Sequence, residues 1–173
     1  MQALTVRVRG AGALTVRVRG AGAATVRVRD AGGTGDASTA GMGAGRSPEN
    51  LVAWQLCEEL ADLVVAMTAT GRVSRDLSFC DQIRRAAGGP GPNIAEGFGR
   101  FGPREFARYL RIAVGSLMET RTFLLRGQRL GYWDEAKSRA ALSLCDRALD
   151  ITRKLLAAKL RQIEGAVKSS DRK

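Results

Sequence analysis

The chain has 173 residues, with 28 Lys and Arg against 17 Asp and Glu and no histidine, a formal charge of +11 at pH 7. Without histidine the commonest general base and the commonest transition-metal ligand are missing, so acid–base or metal chemistry would fall to carboxylates and thiols alone. The charge favours phosphate-bearing or acidic partners; the competing reading is an arginine-rich composition without any binding role.

Cys57, Cys80 and Cys145 form no C-x-x-C pair, and each has apolar neighbours, which reads as three small hydrophobes in a reduced core rather than as a zinc or redox site. No metal or cofactor is signalled. No stretch approaches the roughly 20 apolar residues of a membrane span, and the N-terminus has no apolar core of the signal-peptide kind. The expectation is a cytoplasmic protein without a membrane partner.

Three divisions are expected: a low-complexity basic repeat and linker over 1–46, a helical domain over 47–165 and a polar tail over 166–173. "ALTVRVRGAG" occurs at 3–12 and 13–22, and as "AATVRVRDAG" at 23–32, before a Gly, Ala, Ser and Thr linker. Each "TVRVR" alternates β-branched and basic residues like a short strand, but three such strands offer only a thin valine face. Disorder is therefore favoured. A duplicated stretch of DNA translated in frame would read the same way, with Met42 as the true start.

From Ser47 the texture is helical. Ser47 as N-cap, Pro48 at the first helical position and Glu49 in the first turn predict a helix running to Gly71, with Leu56, Leu60, Leu63 and Met67 on one face and Glu58, Glu59 and Asp62 opposite. A second helix, beginning between Ser74 and Ser78, turns Phe79, Cys80, Ile83, Ala86 and Ala87 inward and Arg84 and Arg85 outward. "GGPGP" (Gly88–Pro92) then kinks or breaks it, and Asn93–Glu96 resume a helical turn.

Gly102 and Pro103 open a third helix with Phe106, Leu110, Ala113, Leu117 and Leu124 as its stripe. Gly115 and Ser116 in its middle allow a neighbouring backbone to come close. Asp134 caps a fourth, with Leu144, Ala148, Ile151, Leu155 and Ala158 spaced by threes and fours. Four long helices with short connections predict an all-α fold, an antiparallel up-and-down four-helix bundle.

Gly97, Gly99 and Gly102 stand at G-x-G-x-x-G spacing. A dinucleotide loop of that pattern needs a preceding strand and a βαβ setting, and "GPGPNIAE" supplies neither, so the glycines read as a connection between helices.

"LVAWQLCEELADLV", "DQIRRAA", "NIAEGFGR", "PREFARYLRIAVGSLMET" and "LGYWDEA" follow one another in the order and spacing of a known family. Over residues 50–163 the chain resembles the four-helix bundle proteins encoded by intervening sequences in bacterial 23S ribosomal RNA genes, and it is similar to the accessory variability-determinant proteins of diversity-generating retroelements. The resemblance implies an antiparallel four-helix bundle assembled as a homopentamer, without catalytic activity. In the retroelement branch it implies partners in RNA and a reverse transcriptase. The family's arginine pair falls on Arg84 and Arg85, its Asn-Ile-Ala-Glu-Gly signature on Asn93 to Gly97 with Arg100 after it, its "EF" phenylalanine on Phe106 and its Gly-Ser on Gly115 and Ser116. This chain departs in having "AAGGPGPNIAEG" where the family has a form like "AAVSIPSNIAEG", which bears on the kink.

Asn93 and Glu96, one turn apart beside a helix break, are placed to satisfy orphan backbone groups, with Arg84 or Arg100 neutralising the glutamate. This structural reading stands ahead of ligand contact. The leading functional expectation is a non-enzymatic oligomer that binds structured RNA or another nucleic acid through a basic surface comprising Arg84, Arg85, Arg100, Arg104, Arg108 and Arg111. Aromatics are few and mostly at core-like positions, so phosphate contact rather than base stacking is expected. The alternative is a protein-interaction scaffold with no nucleic-acid role.

Overall fold

The structure, a computed structural model, describes residues 4–9, 13–18 and 47–170, and the chain divides into two units, Met1–Gly43 and Ala44–Lys173. In the first, β1 (Leu4–Arg9) and β2 (Ala13–Val18) pair antiparallel, from Leu4 opposite Val18 to Arg9 opposite Ala13. These two segments follow the period-two alternation of their sequence and take the strand form, where disorder is the favoured sequence reading. The third repeat, the linker and Met42 lie outside the described residues.

The second unit is all-helical where it is described. Its first helix starts later than the Ser47–Pro48 signal suggests. The Ser47 side chain makes no capping hydrogen bond; Pro48–Asn50 forms a 3-10 turn in which Leu51 N–H donates to the Pro48 carbonyl at 2.9 Å. Leu51 is extended, and α1 runs over Val52–Thr68. Asp76 then caps α2 (Leu77–Gly88), its Oδ1 accepting from Phe79 N–H at 3.0 Å. All five residues expected inward on this helix, Phe79, Cys80, Ile83, Ala86 and Ala87, are buried.

The break after α2 is a single residue wide. Gly89 keeps helical angles, φ −75° and ψ −40°, and α3 (Pro90–Gly99) begins immediately. Interruption comes instead from Pro90 and Pro92, which have no N–H to donate back along the helix. Asn93 repairs part of the loss, since its backbone N–H and its side-chain Nδ2 both donate to the Gly89 carbonyl, at 3.3 and 2.7 Å.

α4 (Pro103–Arg129) starts at Gly102 and Pro103 as the sequence predicts, and α5 (Glu135–Ser170) starts after Asp134, whose Oδ1 accepts from Lys137 N–H at 2.8 Å. α5 continues through residues 166–170, all exposed.

The core is a set of fully buried aliphatics, among them Leu60, Ile83, Ile94, Leu110, Leu117 and Leu124, contributed by α1 to α4 and covered by Ala141, Cys145 and Ala148 of α5. Burial pushes the Cys57 and Cys145 thiols up to about 12, so they remain protonated apolar side chains. Buried hydroxyls are satisfied locally: Thr68, Thr120 and Thr152 each donate to the carbonyl four residues back, at 2.7 to 2.8 Å. Glu59 is the exception. Its Oε1 is buried without a hydrogen-bond partner, and desolvation raises its carboxyl above the usual range against the opposing pull of Arg147.

Candidate nucleic-acid interface

The junction of α3 and α4 carries most of the arginines singled out in the sequence. Glu96, on the last turn of α3, accepts from the Tyr109 hydroxyl at 2.7 Å and from Arg100 Nη2 at 2.6 Å. Together these bonds hold its carboxyl below the usual carboxylate range, the tyrosine hydroxyl first and Arg100 second. The Arg100 and Arg108 guanidinium carbons lie 5.6 and 4.5 Å from the Tyr109 ring centre. Arg108 also pairs with Glu105 at 3.2 Å. Tyr109 therefore joins two arginines and a glutamate in one clamp between the helices.

Gly97 lets that clamp close. A Cβ there would stand 2.6 Å from the Tyr109 Cβ and 3.0 Å from Phe106 Cδ2. Gly99 has open space around it, and Gly102 is the extended residue before α4. Gly97 thus serves packing and Gly102 the turn into α4, in a junction entered from a helix, α3, and not from a strand. Asn93 does satisfy backbone, through its two bonds to the Gly89 carbonyl. Glu96 is exposed and bonds side chains instead of backbone, with Arg100 rather than Arg84 as its cation.

The six candidate arginines divide by what already neutralises them. Arg84 donates from Nε to the Thr68 hydroxyl at 2.8 Å and from Nη2 to the Thr68 carbonyl at 3.2 Å, and so caps the C-terminus of α1. Arg85 pairs with Asp81 at 3.0 Å, and Arg100 and Arg108 pair as above, all between exposed side chains that water screens. Arg104 and Arg111 are exposed and make no ion pair among the described residues. Arg104, Arg108 and Arg111 stand at i, i+4 and i+7 of α4, a single helical face.

An Arg84→Ala variant should lower stability by about 1–2 kcal/mol, because the helix end loses two hydrogen bonds from a charged donor, and should leave nucleic-acid affinity nearly unchanged. Thermal unfolding alongside an RNA titration checks both halves of that expectation.

Two features of the junction escape sequence reasoning. Lys159 of α5 reaches over the Phe106 ring, Nζ 5.6 Å from its centre, and adds a cation from a helix 53 residues away in sequence. Phe101 is 82% exposed, the most solvent-facing large apolar side chain among the described residues, and holds φ at 54°. It stands apart from Phe79, Phe106, Tyr109 and Trp133, which are buried as expected of most of the aromatics. Of Gly115 and Ser116, the pair expected to allow a close approach, only Ser116 stands at one. A Cβ at Gly115 would meet nothing within 4 Å, whereas the space above Gly89 is limited by Ser116 Oγ at 3.2 Å.

The family described as 23S rRNA-intervening sequence protein matches residues 49–154, a span that holds the kink, the Asn-Ile-Ala-Glu-Gly turn and the α4 stripe. The chain belongs to this family. Among solved structures, the crystal structure of a protein of unknown function from the S23 ribosomal protein family of Bacteroides thetaiotaomicron superposes with a TM-score of 0.56 at 18% identity, covering 61% of this chain and 98% of that one. At that identity the likeness concerns the fold alone. No curated protein matches the chain. The match to the family includes α1 to α4 and the first half of α5, so the whole α3–α4 junction lies inside it. No helix among the described residues is long and apolar enough to cross a membrane.

Proposed function

We propose that this member of the 23S rRNA-intervening sequence protein family is a non-enzymatic RNA-binding bundle whose contact surface is the arginine face at the start of α4. The observation that carries the reading is the pair Arg104 and Arg111, exposed and without ion pairs among the described residues, with Arg108 on the same face and Arg100 at its head. Glu96 and Glu105 are the acidic groups within that set, so it remains net positive. From residue 47 onward 21 basic residues stand against 15 acidic ones, which extends the attraction beyond the junction.

RNA is favoured over duplex DNA because the family's description ties its members to a ribosomal RNA gene. We further propose that the helices run antiparallel, up and down, and that the bundle assembles as a homopentamer, which would repeat the basic face around a ring. Light scattering reads the assembly directly, with a mass about five times that of the chain as the expected result.

The functional test is a fluorescence anisotropy titration of a structured RNA. Binding near 50 mM salt that weakens steeply as salt rises supports the proposal. Absence of binding at low salt, or affinity indifferent to salt, contradicts it and leaves a protein-interaction scaffold as the better account.

A further inference from the structure

Phe101 has neither of the usual reasons for its place. Its side chain is 82% exposed, so the ring contributes almost nothing to the core. Its φ of 54° is a left-handed conformation that a residue with a Cβ adopts at a cost and a glycine adopts freely. The chain carries glycines at 99 and 102, so the junction is built with that residue type on either side of it. A bulky aromatic standing in solvent on a strained residue is the kind of outlier that calls for a partner.

Its surroundings indicate the partner's chemistry. Arg100 precedes it and Arg104 follows three residues later, at the head of the face that continues to Arg108 and Arg111. A polyanion with flat apolar groups suits both the arginines and the ring, whereas a self-facing pair of these surfaces would bring like charges together. The residue is anchored through its neighbours in the chain. On one side Arg100 is tied to Glu96, which is tied to Tyr109; on the other, Gly102 leads directly into Pro103 of α4.

Resting on the RNA-binding reading above, we infer that Phe101 is a stacking platform for an unpaired base, with Arg104 and Arg111 meeting the phosphates of the same strand. Aromatic side chains take bases that are splayed out of a helix, because a paired base has no free face. The site therefore selects loops, bulges and single strands over continuous duplex.

The test compares the full chain with Phe101→Ala and Phe101→Trp, using a single-stranded oligoadenylate of about ten nucleotides and an RNA duplex of about 16 base pairs. Phe101→Ala should weaken single-strand binding by about fivefold to a hundredfold, change duplex binding by less than about twofold, and leave the salt dependence of both unaltered. Phe101→Trp should restore single-strand affinity, and its exposed indole should be quenched on adding the oligonucleotide. Light scattering on Phe101→Ala should match the wild-type mass. Wild-type affinity for the single strand in Phe101→Ala overturns the stacking role while leaving the arginine face intact. A changed mass overturns it too, by placing the ring between copies. If the wild-type chain binds neither RNA at low salt, the RNA reading itself falls and the stacking role with it.

Discussion

Replacing Gly97 with alanine should destabilise the bundle by about 2–3 kcal/mol, a loss larger than a single added methyl usually causes. The new Cβ would stand 2.6 Å from the Tyr109 Cβ, an atom fixed to the backbone of α4 and unable to rotate away. Relief requires α3 and α4 to separate. That movement also disturbs the Tyr109 hydroxyl on Glu96, and through it the position of Arg100. The same substitution at Gly115, exposed in mid-helix with nothing within 4 Å, should stabilise by up to about 1 kcal/mol through helix propensity alone. Thermal or urea unfolding of the two variants checks the contrast. Equal effects would mean that the α3–α4 contact is not the tight one described.

Charge reversal at both unpaired arginines, Arg104→Glu with Arg111→Glu, should reduce RNA affinity by about a hundredfold or more at 0.1 M salt. Each phosphate left without its arginine removes roughly 0.7–0.9 of a decade at that salt, so neutralising two side chains accounts for about 25- to 60-fold, and repulsion by the new carboxylates adds to it. Stability should change little, because both side chains are exposed and unpaired. The matched control is Arg85→Glu. That residue already shares its charge with Asp81, and its reversal should have the smaller effect on binding. An equal drop in affinity from Arg85→Glu would shift the contact surface from α4 to α2.

How far the molecule is legible in its sequence varies with the range of the interaction. Helices declare themselves through spacing, so the inward residues of α2 and the stripe of α4 are where periodicity puts them. The partners of Arg85, Arg100 and Arg108 are also local, at i−4, i−4 and i−3, and can be found by counting back along the helix. Arg84 cannot be assigned in this way, because Thr68 belongs to another helix and is 16 residues away. Gly97 looks in the sequence like one member of a glycine pattern. Its function depends on Tyr109, brought against it only when α3 folds back on α4.

The start of α1 shows a different limit. Ser47, Pro48 and Glu49 form a sound helix signal, yet the same residues close a 3-10 turn, and only the extended Leu51 after them tells the two apart. Phe101 is the hardest case. An apolar aromatic beside glycines is ordinarily read as core, and nothing local announces that the residue following α3 and Arg100 takes a left-handed conformation and leaves its ring in solvent.

That Arg104 and Arg111 meet RNA phosphates is tested most directly by the slope of log affinity against log salt, measured for the wild-type chain and for Arg104→Ala with Arg111→Ala. With two fewer phosphates neutralised, the slope should become shallower by about 1.5 to 2. An unchanged slope, whatever the change in affinity, would contradict the claim.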